Sequence, residues 1–376
     1  MSAGRPLRIL LVAEALGTSG VTSYCRNLMR ALSRRHKLML VSPGGDHADR
    51  LGRFAERTLV LHWLERRWLS LFIRGRLLAE AGAFHPDLVH ALSGHAARPA
   101  RVLSQGLGLP VVVTAHHYVE RAGGLRLHPR VRRILAVSQA LRENLVNTGR
   151  IPRELVSVVP NGIDLSEYGS RPEPATARAE AAASGLAPRI PVVGFFGRLT
   201  VRKGPEYLVR AAAILEKDGV EAEYLFAGDG PERRRIEKLA GQLGVRKRIT
   251  FREGYVDGRD LLPALDVFVA PSLQEALGIG ILEAMACGVP VVASAVGGVF
   301  AVIRDGENGL LAPPRDGEAL AGRIRELLLN PGRRLEMARA GRETVERSFS
   351  LPVMVGGTEE AYYAALDAGD SQAIGK

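Results

Sequence analysis

The clearest fold signal lies in residues 267–294, which read VFVAPSLQEALGIGILEAMACGVPVVAS. The apolar run Val267–Pro271 predicts a buried strand, a helix is expected to begin near Ile279, and Val291–Ser294 predicts the next strand. Buried apolar strands that alternate with helices are typical of a parallel sheet covered on both faces. In such a sheet, ligands bind where the strands end.

The same alternation runs along the rest of the chain in two series. The first series contains the predicted strands Leu7–Ala13, Lys37–Ser42, Asp87–Ala91, Val111–Thr114, Ile134–Val137 and Val156–Val159. The second contains Val192–Gly197, Tyr224–Gly228, Ile249–Phe251, Val267–Pro271 and Val291–Ser294. The stretch 166–189 between them is rich in Ala, Pro, Arg and Glu and predicts a linker. The predicted fold class is therefore α/β, with Rossmann-like domains at 1–165 and 190–348 whose parallel sheets face a central cleft.

Composition and cysteine spacing narrow the class of protein. With 46% hydrophobic and 24% charged residues among 376, the chain has the profile of an ordinary globular protein. No apolar stretch approaches the roughly 18 residues that a membrane-spanning helix needs, and the first apolar run leads at once into Glu14. Cys25 and Cys287 are the only cysteines and favour neither a disulfide framework nor a zinc site. We therefore expect a cytoplasmic protein.

The first half of the chain carries all of the net charge of +11. Residues 1–165 hold 24 Lys and Arg against 11 Asp and Glu, a balance of +13. Residues 166–376 hold 27 against 29, a balance of −2. This asymmetry predicts that the first half faces an anionic partner such as a membrane, a phosphorylated acceptor or nucleic acid.

Two carboxylates eight residues apart, Glu275 and Glu283, form the strongest chemical pattern. Glu275 is expected on the loop after a strand, and Glu283 about one turn into the following helix. Gly278 and Gly280 would let a ligand approach the backbone, and the helix start at Ile279 offers free N–H groups to an anion. Carboxylates at such a place suit the hydroxyls of a ribose or a sugar. The alternative is a solvated loop acid and a helix-surface glutamate.

The second pattern is basic and also follows a strand. Residues 197–206 read GRLTVRKGPE, and Pro205 and Glu206 fit the first turn of a helix. Arg198 and Lys203 would then converge on a strand-to-helix loop, which suits the binding of a pyrophosphate. The alternative is a solvated basic turn.

Further motifs at predicted strand ends complete the pattern. They are Ala227–Pro231 in the second half, and Pro86–Ala91, Val113–His116, Ala136–Gln139 and Val159–Asp164 in the first. Together with the two patterns above, they resemble glycosyltransferase family four over about Leu7 to Leu366. The resemblance implies a GT-B fold and a retaining enzyme that moves a sugar from a nucleotide diphosphate sugar. UDP- or GDP-sugar is the expected donor, and no further cofactor is implied.

The resemblance also implies a role for each matching residue. Arg198 and Lys203 would hold the diphosphate, Glu283 the ribose hydroxyls and Glu275 the hydroxyls of the transferred sugar. The implied donor-binding set is Gly20, Arg198, Lys203, Glu275, Gly278, Ile279 and Glu283, and the implied catalytic set is His116, Glu275, Arg198 and Lys203.

Three of the matching positions either differ from the family pattern or allow a second interpretation. His116 matches the position beside the sugar, although it could instead be a strand-end histidine satisfied within the fold, because His117 follows and either could point inward. Gly20 matches the second glycine of a family pair that reads Ser19-Gly20 here. Ala276 stands where the family usually has glycine, and so adds a Cβ beside the expected donor sugar.

The sequence contains no Asp-x-Asp triplet, no HExxH and no other metal-ligand spacing. We therefore expect no metal site and turnover without a divalent cation. Because no residue is a clear nucleophile, the expected route is front-face transfer through an oxocarbenium-like state. In this route the departing diphosphate takes the proton of the acceptor.

The first half is expected to bind the acceptor, which would be a glycan, a glycolipid or a lipid-linked molecule. A helix at Leu351–Leu366 is expected to cross back to this half. The segment Leu61–Ala81 carries both tryptophans and four arginines. It is either an interfacial helix on anionic lipid or the ordinary covering helix before the next strand. With the basic first half, it predicts a peripheral position on the inner face of the cytoplasmic membrane.

Two other functions stay open at this point. Another GT-B activity, such as a nucleotide-sugar epimerase or a phosphorylase, would use the same donor motifs. A non-catalytic binder of nucleotides or nucleic acid would account for the basic first half. The complete set Arg198, Lys203, Glu275 and Glu283 favours an enzyme, and we expect no nucleic-acid partner.

Overall fold

The computed structural model describes residues 5–17, 20–62, 71–123, 129–168, 190–252 and 258–370, except for the side chains of 71–73, 260 and 368–370. The chain divides into unit 1, which is Met1–Gly162 with Leu351–Lys376, and unit 2, which is Ile163–Ser350. Each unit is built on one sheet, and all the strand pairs described in both sheets are parallel. The predicted α/β class with two parallel-sheet domains is confirmed.

Unit 1 alternates strands and helices from the N-terminus. Its strands are β1 (Arg8–Val12), β2 (Lys37–Ser42), β3 (Arg57–Val60), β4 (Leu88–Ala91), β5 (Val111–Ala115), β6 (Val131–Ala136) and β7 (Val156–Val158). Its first helices are α1 (Gly20–Leu32), α2 (Ala48–Gly52), α3 (Leu71–Gly82), α4 (Ala97–Leu107) and α5 (Gln139–Asn147). The strand order across the sheet is β3-β2-β1-β4-β5-β6-β7.

Unit 2 repeats this plan. Its strands are β8 (Val192–Phe196), β9 (Glu223–Ala227), β10 (Ile249–Arg252), β11 (Val267–Ala270), β12 (Val291–Ser294) and β13 (Leu310–Ala312). Its helices are α6 (Pro205–Lys217), α7 (Arg233–Gln242), α8 (Gly258–Leu261), α9 (Ile279–Ala286), α10 (Gly317–Leu329) and α11 (Pro331–Ser348). The strand order across the sheet is β10-β9-β8-β11-β12-β13.

The last helix, α12 (Leu351–Asp370), belongs to unit 1. The hydroxyl of Tyr362 lies 2.6 Å from Nδ1 of His90 in the buried strand β4. Glu359 makes a second contact, because its Oε1 lies 2.7 Å from Nε2 of His36 just before β2. The chain therefore leaves unit 1 at Gly162 and rejoins it through this helix.

The cores consist of strands that are buried on both faces. Ile9–Val12 of β1 and Val267–Val269 of β11 are at most 1% exposed. Because helices cover both faces of each sheet, no strand position has to be polar, and the sequence shows unbroken apolar runs. Helix α6 shows the complementary pattern, since its buried residues lie three and four positions apart on one stripe.

The sequence prediction missed two edge strands, β3 and β13. Three of the four residues of β3 are exposed, so its sequence RTLV contains no apolar run. Strand β13 has only three residues. Short and polar edge strands are common, because an edge has one partner and half of its surface faces solvent.

The described part of the segment Leu61–Ala81 ends in helix α3, which packs against α4. Its residues Leu77 and Ala81 are fully buried, whereas Arg74 and Arg76 are exposed. Both tryptophans of the segment lie outside the described residues. Within the described part of the chain, no helix is both long enough and apolar enough to cross a membrane.

Each sheet has one topological switch point, where successive strands are added on opposite sides of the starting strand. In unit 1 it lies between β1 and β4, and in unit 2 between β8 and β11. The loops that follow such a pair of strands diverge, and ligands bind between them at the carboxyl edge. A functional site is therefore expected on the loops that follow β1, β4, β8 and β11.

Candidate functional site

Lys203 and Glu275 meet at the switch point of unit 2. Lys203 lies on the loop after β8, and Glu275 lies on the loop after β11. Nζ of Lys203 donates a hydrogen bond to Oε2 of Glu275 at 2.6 Å, and the Ser272 hydroxyl donates to the same oxygen at 3.2 Å. The two charged side chains are 28% and 15% exposed, so solvent screens their attraction only in part.

The basic loop 197–204 packs closely against the end of β11. Gly204 has a φ of 63°, and a Cβ at this position would lie 2.1 Å from the carbonyl oxygen of Pro271. Only glycine permits this approach without strain. Helix α6 then begins at Pro205, as predicted, so its first N–H groups lie directly after the loop. Arg198 is exposed on the same loop.

Glu283 lies in the second turn of α9, as predicted from its spacing to Glu275. The helix is preceded by Gly278, whose φ of 95° is accessible mainly to glycine, and begins at Ile279. Oε1 of Glu283 accepts a hydrogen bond from the hydroxyl of Tyr168 at 3.1 Å. Both glutamates thus project from elements that begin at the carboxyl end of β11.

Ala276, the departure from the family pattern, fits without backbone strain. Its φ lies outside the left-handed region, so its Cβ costs nothing in conformation. Its carbonyl oxygen packs against Gly298, where a Cβ would approach within 1.8 Å. In this chain the packing therefore requires glycine at position 298, which faces Ala276, and does not require it at position 276.

His116 and His117 differ sharply in their surroundings in unit 1. His116 is 7% exposed at the end of β5, and its Nε2 donates to the carbonyl oxygen of Leu92 at 3.1 Å. Burial is the main cause that lowers the pKa of His116 to about 3; the neighbouring His117 also lowers it, and the hydrogen bond to Leu92 acts in the opposite direction. His117 is exposed. His116 is therefore the inward-facing histidine of the pair and is neutral at physiological pH.

A hydrogen-bonded chain of buried polar groups lies behind His116. The Tyr24 ring meets the His116 ring edge-on with centroids 4.6 Å apart, and its hydroxyl lies 2.9 Å from Thr114 Oγ1. Thr114 Oγ1 lies 2.8 Å from Nε2 of His90, whose other nitrogen contacts Tyr362. Burial is the main cause that lowers the pKa of His90 to about 3, with a smaller contribution from His116.

A second polar cluster lies at the switch point of unit 1, and the sequence analysis did not single it out. Oε2 of Glu14, after β1, accepts from the Ser93 hydroxyl at 2.7 Å and lies 2.9 Å from Nδ1 of His95. Ser93 and His95 follow β4. The signal that could have found them is their position, since each is a polar residue directly after a strand at the switch point. Gly20 is exposed at the start of α1, and Ser19 lies outside the described residues.

No group of three or more His, Cys, Asp or Glu side chains in the described ranges is arranged to hold a metal ion. Cys25 and Cys287 are buried and unbonded to each other. At the switch point of unit 2, the predicted site residues are Lys203 and Glu275 in contact, with the exposed Arg198 and the second carboxylate, Glu283, on the same sheet edge.

Two family models match the chain. Residues 18–167 match Glycosyltransferase Family 4, and residues 177–344 match Glycosyl transferases group 1. The D-inositol 3-phosphate glycosyltransferase of Salinispora arenicola is 33% identical over 339 residues, which cover 80% of this chain and 74% of that protein. An uncharacterised glycosyltransferase of Methanocaldococcus jannaschii is 34% identical over 241 residues, or 62% of this chain and 60% of that protein.

The fold has close counterparts among solved structures. HepE of Anabaena, crystallised in complex with UDP and glucose, superposes with a TM-score of 0.84 at 21% identity, covering 95% of this chain and all of that chain. At this identity the likeness concerns the fold, and the family assignment rests on the sequence matches. The chain therefore belongs to glycosyltransferase family four and is a glycosyltransferase of the GT-B fold.

Proposed function

We propose that the enzyme transfers a sugar from a nucleotide diphosphate sugar to a hydroxyl of its acceptor, with retention of configuration and without a divalent metal. The observation that carries this proposal is the contact of Lys203 with Glu275 at the switch point of unit 2. Glu283 follows in the second turn of the next helix. A cation suited to a diphosphate and two carboxylates suited to hydroxyls thus lie on one sheet edge.

The donor would be recognised by its charge and its hydroxyls. Lys203 and Arg198 would donate to the diphosphate, which the helix start at Pro205 would also favour. Glu283 would accept hydrogen bonds from the ribose, and Glu275 from the transferred sugar. UDP is the first nucleotide to test, because HepE was crystallised with UDP and with UDP-glucose, and GDP is the second.

The transfer step would use the cations of unit 2 as a fixed electrostatic clamp. As the bond between the anomeric carbon and the diphosphate breaks, negative charge accumulates on the leaving phosphate oxygen. Lys203 and Arg198 would stabilise that charge, and cations that are held in place before the reaction lower its barrier strongly. The acceptor hydroxyl would attack the same face of the sugar and pass its proton to the departing phosphate.

His116 would contribute contact and not proton transfer. Its pKa of about 3 keeps the imidazole neutral, and its Nε2–H is donated to the Leu92 carbonyl. A ring with so low a pKa is not charged at physiological pH, so it has no extra proton for the leaving group, and it is too weak a base to take the proton of the acceptor. The phosphate of the donor is therefore the better candidate for the base.

The acceptor would bind at the switch point of unit 1. Glu14 offers a carboxylate oxygen already placed by Ser93 and His95, and such a group suits an acceptor hydroxyl. The name of the Salinispora relative denotes a phosphorylated polyol, which would suit the positive charge of this half. A glycan, a glycolipid or a lipid-linked molecule is the proposed acceptor class.

The positive charge of the first half would also attract the enzyme to the inner face of the cytoplasmic membrane. Each Lys or Arg close to anionic lipid contributes roughly 1 kcal/mol, and salt screens this attraction. Flotation with liposomes tests the proposal: recovery should be greater with anionic than with neutral vesicles, and should fall at high salt. Equal recovery with both vesicle types at low salt would contradict it.

The function is tested first by donor binding and then by turnover. A panel of UDP- and GDP-sugars is screened by thermal shift, since a ligand at 100 times its dissociation constant stabilises by about 2.7 kcal/mol. The stabilising donor, labelled in its sugar, is then incubated with and without lipid and glycan extracts. Label should move to an acceptor. Interconversion of the sugar without an acceptor would indicate an epimerase, and no stabilisation by any nucleotide sugar would contradict the proposal.

A further inference from the structure

The hydroxyl of Tyr168 contacts the carboxylate of Glu283 from outside the strand-to-loop motifs. Tyr168 is 5% exposed, and its hydroxyl donates to Oε1 of Glu283 at 3.1 Å. The two residues are 115 positions apart in the chain. A buried phenol that donates to a carboxylate fixes both the rotamer of the glutamate and the direction of its oxygens.

The segment that carries Tyr168 is fastened to unit 2 at several points. The amide of Ile163 donates to the carbonyl of Phe349 at 2.8 Å. Glu167 forms an ion pair with Arg259 of α8 at 3.0 Å. The segment that presents Tyr168 to Glu283 is therefore held in place by other parts of unit 2.

Helix α9 and the backbone of Tyr168 also share one anchor. Nη1 of Arg342 donates to the carbonyl of Ala286, the last residue of α9, at 2.6 Å. The same nitrogen lies 3.4 Å from the carbonyl oxygen of Tyr168. The donor of the hydrogen bond to Glu283 and the helix that carries Glu283 are thus held by the same guanidinium group.

We propose that Tyr168 is a positioning residue for Glu283, which it orients toward the ribose hydroxyls of the nucleotide. The inference rests on the proposed function, which assigns Glu283 to the ribose. A glutamate side chain loses rotamer freedom when it becomes fixed, and this loss opposes binding. A side chain that is already held does not pay this cost when the nucleotide binds.

The test is a pair of ligands that differ only at the ribose, measured on the full-length protein. Dissociation constants for UDP and for 2′,3′-dideoxy-UDP are determined by calorimetry, with GDP and its dideoxy analogue used if wild type prefers guanine. Tyr168→Phe removes one hydroxyl and keeps the ring. We expect it to weaken UDP about five- to tenfold, the net effect of one typical hydrogen bond, and to leave the dideoxy nucleotide unchanged.

Tyr224→Phe is the matched control. Tyr224 of β9 is 1% exposed, and within the described part of the chain its hydroxyl has no hydrogen-bond partner. The Tyr224→Phe variant should bind UDP and the dideoxy nucleotide with the same dissociation constants as wild type. If Tyr168→Phe weakens both nucleotides equally, or neither, the positioning role is wrong.

Glu283→Gln separates this inference from the proposed function beneath it. We expect it to weaken UDP more than the dideoxy nucleotide. If it does so while Tyr168→Phe binds like wild type, only the positioning role is overturned. If Glu283→Gln does not distinguish the two ligands, or if wild type binds no nucleotide, the assignment of Glu283 and the role of Tyr168 are overturned together.

Discussion

Each unit has a carboxylate beside its switch point, on the loop after β11 in unit 2 and on the loop after β1 in unit 1, and the two carboxylates have different partners. In unit 2, Glu275 lies across the switch point from Lys203 and forms an ion pair with it. In unit 1, Glu14 lies across the switch point from Ser93 and His95. The backbone geometry that creates a ligand edge is therefore shared, whereas the charge of the partner is not.

The difference shows how one sheet topology serves two kinds of ligand. A permanent cation and an adjacent helix start favour an anion, so unit 2 suits a diphosphate. In unit 1 the carboxylate is held by a hydroxyl and an imidazole, neither of which has a permanent positive charge. Unit 1 therefore suits an uncharged hydroxyl group. Topology determines where a ligand binds, and the side chains on the four loops determine which ligand it is.

The largest expected effect concerns the permanent cations of unit 2. Arg198→Ala and Lys203→Ala should each lower kcat by about 10²–10³, by analogy with the loss of one preorganised donor to a developing negative charge. Steady-state kinetics with saturating donor measures this. Arg202→Ala is the matched control, because Arg202 is exposed on the same loop, and it should retain normal turnover.

The same cations should make a metal unnecessary. Turnover should survive exhaustive treatment with EDTA, since Arg198 and Lys203 would supply the charge that a divalent ion supplies elsewhere. Loss of activity in EDTA that Mg²⁺ or Mn²⁺ restores would contradict this part of the mechanism. Normal kcat in both alanine variants would contradict it as well.

The second expected effect is that acid destabilises unit 1 more than unit 2. Burial lowers the pKa of both His90 and His116 to about 3, whereas unit 2 contains no histidine. Between about pH 6.5 and 3 the unfolded chain binds protons at these sites and folded unit 1 does not. Stability of unit 1 should therefore fall as pH falls, by about 1.4 kcal/mol per pH unit for each histidine.

Native-state hydrogen exchange at pH 7 and pH 5.5 measures this difference by unit. After correction for intrinsic rates, the opening free energy of β4 and β5 should fall by about 2–3 kcal/mol, and that of β8 and β11 by much less. The exposed His85 offers a control, because His85→Asn should leave the difference unchanged. An equal fall in both units would show that the buried histidines do not cause it.

The third effect lies within unit 2 and separates its two glutamates. Glu275→Gln should lower kcat about twentyfold, since contacts to the sugar would strengthen as charge develops on the ring. Glu283→Gln should raise the donor KM about tenfold with little change in kcat, because the ribose contact would be the same before and during the reaction. The two kinetic profiles measure this directly. Indistinguishable profiles would mean that the roles are misassigned.

The smallest expected effect tests the carboxylate of unit 1. Glu14→Gln should raise the acceptor KM about fivefold, the value of one hydrogen bond, and leave the donor KM unchanged. Glu143→Gln is a suitable control in the same unit, because Glu143 pairs with Arg153 on the surface. A rise in the donor KM of the Glu14 variant, or no change in either constant, would contradict the proposed division between the units.

Much of the fold could be predicted from the sequence because buried parallel strands leave continuous apolar runs. The predicted strands that correspond to β1, β8, β11 and β12 agree with the structure to within about two residues at either end. Strands β3 and β13 could not be predicted, because an edge strand that is short or solvent-exposed carries no such run. The order of strands across a sheet was equally out of reach, since periodicity describes a segment and not its neighbours.

The sequence by itself determined which chemical groups stand at strand ends: the basic loop after β8, the two glutamates after β11, and the glycines at positions 204 and 278 that open two helices. These are local features, because a charge, a glycine or an apolar run can be recognised within a short stretch of sequence. Tertiary structure alone decided which of these groups meet. Lys203 and Glu275 are 72 residues apart, and Glu14 and His95 are 81 apart. Such pairs form only when packing of the whole core fixes the order and register of the strands, and no local pattern encodes that order.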